Sequence, residues 1–254
     1  HASETITNKD NVGEAFFKKP DASVLKAIQE CANDESTIGL LTAGNSGAIL
    51  MGAMKFLTGG AISRPCLSSI LPSEKGGFVC IVDCGATLDV TKSQLHQFAQ
   101  IGTDFMRRLY KIEAPKVALL SNGSEDTKGN KLVKETFPLL KEDSSINFIG
   151  NVEGSNALSG VCDVVVCDGF VGNQLLKATE AAATRVIKDV VKYIKKNNRE
   201  DMMPLVQTLM GTYHMSNLGG AIVLGTIKPI IKCHGCAGSD AFMNTADLLI
   251  NLEE

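Results

Sequence analysis

No stretch of this sequence approaches the roughly 20 consecutive apolar residues that a membrane-spanning helix needs. Charge of neither sign dominates: 25 Lys and Arg face 28 Asp and Glu, a net charge of −3. That balance gives no electrostatic footprint for nucleic acid and no polybasic membrane anchor. The opening residues do not read as a secretory signal, and there is no internal repeat and no low-complexity linker. What is present is ordinary for a globular enzyme, with 44% hydrophobic and 21% charged residues in 254. A chain of this length can bury roughly 70–75% of its unfolded surface. It suits one large domain over residues 1–254, or two interlocked lobes, in a cytoplasmic protein.

Eight cysteines are scattered through the chain. Cys31, Cys66, Cys80, Cys84, Cys162, Cys167, Cys233 and Cys236 lie mostly within or beside apolar segments. Reduced and buried, such residues behave as small hydrophobes. Cys233-His234-Gly235-Cys236 is a C-x-x-C, but a zinc site takes about four ligands and no second such pair exists. The structural reading is preferred and no metal is assigned.

Apolar periodicity predicts alternating strands and helices. Helices are expected over 22–31, 45–57, 91–109, 128–140, 172–195 and 239–251. Strands are expected over 37–41, 78–82, 117–120, 146–149, 164–167 and 229–233. Repetition of strand and helix implies an α/β fold, a mostly parallel sheet with helices on both faces. The most informative stretch is 145–177, SINFIGNVEGSNALSGVCDVVVCDGFVGNQLLK. Two apolar strands there run straight into Gly, Asn and acidic residues, at 150–154 and 168–173. Polar turns of that kind belong at the carboxyl edge of a sheet, where α/β proteins bind ligands.

DVVVCDGFVGNQLLK and INFIGNVEG resemble the phosphate acyltransferases of bacterial fatty acid and phospholipid synthesis. TAGNSGAILMGA, ISRPCLSSILP, IVDCGATLD, NGSEDTKGN and IIKCHG have counterparts in the same order. The resemblance spans essentially the whole chain. It implies a two-lobed architecture like phosphotransacetylase and isocitrate dehydrogenase. It also implies a homodimer, cytoplasmic or at the membrane periphery, that uses acyl-carrier protein and inorganic phosphate with no cofactor. The family's usual opening strand and Gly-rich segment have no match, so His1 corresponds to a point inside a full-length member. Thr87, Ser124 and Ser155 stand where members often have Asn, Glu and Arg. An acyl-coenzyme A:phosphate acyltransferase and a non-catalytic ligand-binding paralogue are the alternative readings.

The site follows from the motifs and the resemblance together. Gly44, Asn45, Ser46 and Gly47 at a helix start offer N–H groups and a hydroxyl to an oxyanion, or form an N-cap with two convenient glycines. Arg64 is a phosphate fork or a surface arginine at a turn. Asn122, Lys128, Asn130 and Asn151 are assigned to substrate binding. Asp168 is a functional acid or a helix cap. Asn173 and Lys177 share one helix face at i,i+4 spacing. His234 is an acid to the departing thiol, a donor to the carbonyl, or a structural group. The strands ending at Cys167 and Cys233 are expected to share one cleft, with Lys177 and His234 pointing into it. If His234 is the acid, His234→Ala lowers the maximal rate by roughly 10²–10⁴-fold at unchanged melting temperature. A destabilised but fully active variant removes that role.

Overall fold

The computed structural model describes residues 1–59, 62–213, 220–233, 235 and 238–253, the side chains of 240, 241 and 253 excepted. In chain order its elements are α1 (Val12–Lys18), α2 (Ser23–Asn33), β1 (Leu40–Thr42), α3 (Ser46–Phe56), β2 (Cys66–Pro72), β3 (Phe78–Val82), α4 (Lys92–Tyr110) and β4 (Lys116–Ser121). There follow α5 (Lys131–Glu142), β5 (Asn147–Glu153), β6 (Val164–Val166), α6 (Gly169–Lys196) and α7 (Met203–Tyr213). β7 (Ala221–Leu224), β8 (Ile230–Lys232) and α8 (Ser239–Glu253) complete the chain.

All eight strands join one sheet in the order β1-β8-β7-β2-β3-β6-β4-β5. The pairs β1–β8, β3–β6, β6–β4 and β4–β5 are parallel. The pairs β3–β2, β2–β7 and β7–β8 are antiparallel. The sheet is thus mostly parallel, as the strand–helix alternation implies, with an antiparallel centre.

That centre comes from two strands the periodicity misses. β2 (CLSSILP) carries two buried serines in place of an apolar run, and Ser68 Oγ donates to the Ile222 carbonyl at 3.3 Å. β7 is four residues long. The β2–β3 hairpin turns through Gly76 and Gly77, at φ 86° and 75°, a region glycine enters freely. The helices α1 and α7 are likewise unforeseen.

Three antiparallel steps reverse β8 relative to β6, so the strands ending near Cys167 and Cys233 do not share a common carboxyl edge. Their ends nevertheless come near the same level. Ser68 pairs with Val82 on one side and Ile222 on the other, and the next residue of β7, Ala221, pairs with Lys232.

Alternate side chains feed two cores, one on each face. Val79, Ile81 and Val165 pack with α1, α2, α3 and the start of α6. Cys80, Val82, Val164 and Val166 pack with α4, α5 and Leu249 of α8. Burial on both faces explains why β3 and β6 are almost uniformly apolar. The seven cysteines within the described residues are buried and free of disulfides, as small hydrophobes; Cys236 lies outside the described residues.

Several boundaries move. β5 runs on through Gly150 to Glu153, with an irregularity in its register against β4 between Val117 and Leu119. α5 starts at Lys131, capped by Asn130. α6 starts at Gly169, and beyond its first turn only Leu176 and Ile194 are buried. Between those two residues every position of the helix is partly or fully exposed, Val186 among them. α7 packs against α6.

The start of α6 is held by close approach. A Cβ on Gly172 would lie 1.9 Å from the Asp83 carbonyl oxygen and 2.7 Å from Cys167 Sγ. Both neighbours belong to the sheet's end, so neither can move aside cheaply. Gly172→Ala is therefore expected to destabilise the protein by at least about 1–3 kcal/mol. Calorimetry checks it, and an unchanged melting temperature contradicts the packing described.

Candidate active site

The site is organised by the loop that leaves β3. Asp83 is fully buried. Its Oδ1 accepts N–H bonds from Leu67 (3.1 Å), Gly85 (3.2 Å) and Ala86 (3.0 Å), and its Oδ2 accepts one from Thr87 (2.7 Å). Burial pushes the carboxyl above the ordinary range, while these four donors pull it back. Thr87, one of the positions that depart from the family pattern, is buried, and its Oγ1 has no partner among the described residues. Its carbonyl accepts the Gly169 N–H at 2.8 Å, which joins the loop to the first turn of α6.

A cleft of about 260 Å³ opens on one side of this loop. Ser46 from the start of α3, Asn173, Lys177 and Glu180 from α6, Cys84 and Gly85 from the loop, and Lys232 from the end of β8 all line it. Burial lowers the pKa of Lys232, and the charge of Lys177 adds to that effect. Lys232 Nζ donates to the Cys233 carbonyl at 3.1 Å, and Lys177 Nζ contacts Glu180 at 2.7 Å. Two lysines, one half-desolvated, beside a helix start and a hydroxyl make a pocket suited to a small polyanion.

A second cavity, of about 480 Å³, lies at the start of α6, above β4 and β6. Asn122, Asn130 and Asp168 are among its polar lining residues. Oδ1 of each is engaged locally, by the N–H of Gly129, Val133 and Val171 respectively, at 2.9 Å in each case. Asp168 is thus the N-cap of α6.

The expected site residues therefore divide. Ser46, Asn173 and Lys177 meet in the cleft, whereas Asn122, Asn130 and Asp168 meet in the second cavity. Asn45 caps α3 by accepting the Ala48 N–H at 3.1 Å, which leaves that donor engaged. Gly44 and Gly47 allow close packing, because a Cβ would meet Val24 and Val12 at 3.2 Å and 3.1 Å. Asn151 is buried and donates to the Glu125 carbonyl at 2.8 Å, bracing the 122–130 loop, in which Lys128 is exposed. Arg64 is half-buried and lines neither cavity. His234 lies outside the described residues.

Sequence reasoning passed over Asp83, Cys84, Glu180 and Lys232. Asp83 carried the same signal as Asp168, an acid directly after an apolar strand. Lys232, a cation closing an apolar strand, was legible in the same way.

The sheet with helices on both faces defines an α/β fold shared with phosphotransacylases. A phosphotransacetylase from Streptococcus pyogenes superposes with a TM-score of 0.60 at 15% identity, covering 95% of this chain and 70% of its own. A branched-chain phosphotransacylase from Enterococcus faecalis gives 0.63 at 16%, covering 92% and 79%. The chain itself belongs to the fatty acid synthesis protein family, whose model matches residues 1–253. Among relatives, a phosphate acyltransferase of Halothermothrix orenii is 39% identical over 251 residues, 96% of this chain and 74% of that protein. One from Brevibacillus brevis is 35% identical over 249 residues, again 96% and 74%.

If the cleft is an anion site, inorganic phosphate at a hundredfold excess over its Kd raises the melting temperature by about 5 °C. Lys177→Met and Lys232→Met should each abolish most of that shift. A rise of equal size in both variants, measured by calorimetry, places the anion elsewhere.

Proposed function

We propose that this protein is a phosphate acyltransferase that moves the acyl group of an acyl-[acyl-carrier protein] thioester to inorganic phosphate. The observation that carries the reading is 39% identity, over 96% of the chain, to a protein of that name. The cation-lined cleft supports it chemically. A phosphate oxygen attacks the thioester carbonyl carbon, a C–O bond forms, and the C–S bond breaks. The electron pair leaves on sulfur as the carrier thiolate, which then takes a proton. Phosphate is already a nucleophile at neutral pH, so positioning and charge stabilisation can supply most of the effect.

In this reading Lys177 and Lys232 hold the phosphate, and Ser46 and the first N–H groups of α3 add hydrogen bonds. Glu180 competes with the anion for Lys177 and so moderates its affinity. The acyl phosphate leaves as a substrate for acylation at the membrane. Contact with the membrane in this reading is peripheral; no helix among the described residues is long and apolar enough to cross one. A homodimer fits the same picture. Val186 and Tyr193 of α6 and Leu205, Met210 and Tyr213 of α7 are exposed apolar residues on two packed helices, which a second copy would cover.

Acyl phosphate formation from acyl-[acyl-carrier protein] is expected to exceed formation from acyl-coenzyme A. Preference for the coenzyme A donor would favour a phosphotransacetylase-like activity, and failure with both in folded protein a non-catalytic paralogue. Light scattering should give twice the 27.0 kDa chain mass; a monomer at all micromolar concentrations removes the dimer.

A further inference from the structure

β4 and β6 are adjacent and parallel, yet the chain leaves them in opposite directions. After β4 it enters α5, whose Val133, Phe137 and Leu140 join one core. After β6 it enters α6, whose Leu176 joins the core on the other face. Connections that part in this way leave a crevice outside the carboxyl ends of the two strands, the usual ligand position in α/β sheets. The cavity of about 480 Å³ occupies that crevice, within the roughly 300–1,000 Å³ range of small-molecule sites.

Its chemistry differs from that of the neighbouring cleft. Leu95, Leu119, Leu120, Leu132, Val133 and Val171 line it, and among the described residues no Lys, Arg or His does. Oδ1 of each of Asn122, Asn130 and Asp168 accepts a backbone N–H. Ser121 Oγ is a buried lining hydroxyl with no hydrogen-bond partner among the described residues. An anion would gain little here, whereas a hydrocarbon chain would bury its surface against leucine and valine.

The two cavities share a wall. Asp168 and Val171 of α6 face the crevice, while Asn173, Leu176 and Lys177 line the cleft. Val171 and Lys177 are about 9 Å apart along the helix axis, at about 1.5 Å per residue.

We propose that this crevice is the binding site for the fatty acyl chain of the thioester substrate, so that the chain lies on one side of the α6 start and the phosphate on the other. The assignment rests on the phosphate acyltransferase reading. Chain length is then sensed between α5 and α6, by Leu132 and Val171. Both residues are partly or fully exposed, so enlarging either narrows the crevice with little disturbance of the cores.

The test uses the full chain and its Leu132→Trp and Val171→Trp variants, with calorimetry to confirm folding. In the wild type, kcat/KM for acyl donors should rise by about fourfold per added methylene until the crevice is full. Each variant should lower the ratio of kcat/KM for C16 to that for C4 donors by about tenfold or more. An unchanged ratio in both folded variants overturns the assignment. Equilibrium binding of a fluorescent C16 fatty acid, displaced by palmitate, provides an arm that needs no turnover. Binding by the wild type that weakens at least about tenfold in both variants supports the crevice, even if no donor yields acyl phosphate and the enzymatic reading falls. No binding, or equal binding by all three proteins, overturns it.

Discussion

The arrangement depends on one buried carboxylate. Asp83 sits at the end of a central strand with no exposure to solvent, where an ionised carboxyl costs several kcal/mol unless it is fully hydrogen-bonded. It has four backbone donors, three from its own loop and one from the neighbouring strand. Those bonds fix the loop that lines the cation-bearing cleft. The loop in turn accepts Gly169, and the Asp83 backbone sets how closely Gly172 may approach. The first turns of α6 are therefore positioned by the strand beside their own, and both cavities take their shared wall from that contact.

Separation of charge follows from the same geometry. On one side of the wall Lys177 and Lys232 converge, and desolvation of Lys232 makes an added anion more favourable than it would be at an open surface. On the other side no cation is present among the described residues, and Oδ1 of Asn122, Asn130 and Asp168 already accepts a backbone N–H. A substrate with an apolar tail and a reacting centre that meets phosphate is matched by two adjoining compartments better than by a single mixed one.

Much of this was legible in the sequence, for physical reasons that also explain what was not. β3 and β6 are buried on both faces, so they appear as unbroken apolar runs. α2 and α4 show clear periodicity, and Asn45 and Thr91 cap α3 and α4, the latter with Gln94 as a capping box. β2 was hidden because two of its buried residues are serines, one of which, Ser68, bonds a neighbouring strand more than 150 residues away. Without β2 and β7 the strands appear all parallel, which is why a common carboxyl edge was expected for β6 and β8. At the site, glycine and asparagine motifs marked the right turns. Several of the residues, among them Asn45, Asn130 and Asp168, turned out to cap helices. The cations that face the cleft are spread over β8 and α6, and only the fold brings them together.

The antiparallel centre also constrains the order in which the molecule can form. Among the described residues β1 pairs only with β8, and β2 pairs on its outer side with β7. During synthesis the parallel block of β3, β6, β4 and β5 can assemble from contiguous chain. Leu40–Thr42 must wait, unpaired, until residues 230–232 have left the ribosome. Such long-range closure is slow because the loop entropy is lost before the contacts repay it. The half of the sheet that carries Lys232 is therefore the last to close, and a nascent chain holds its apolar face without the cation-lined half of the cleft.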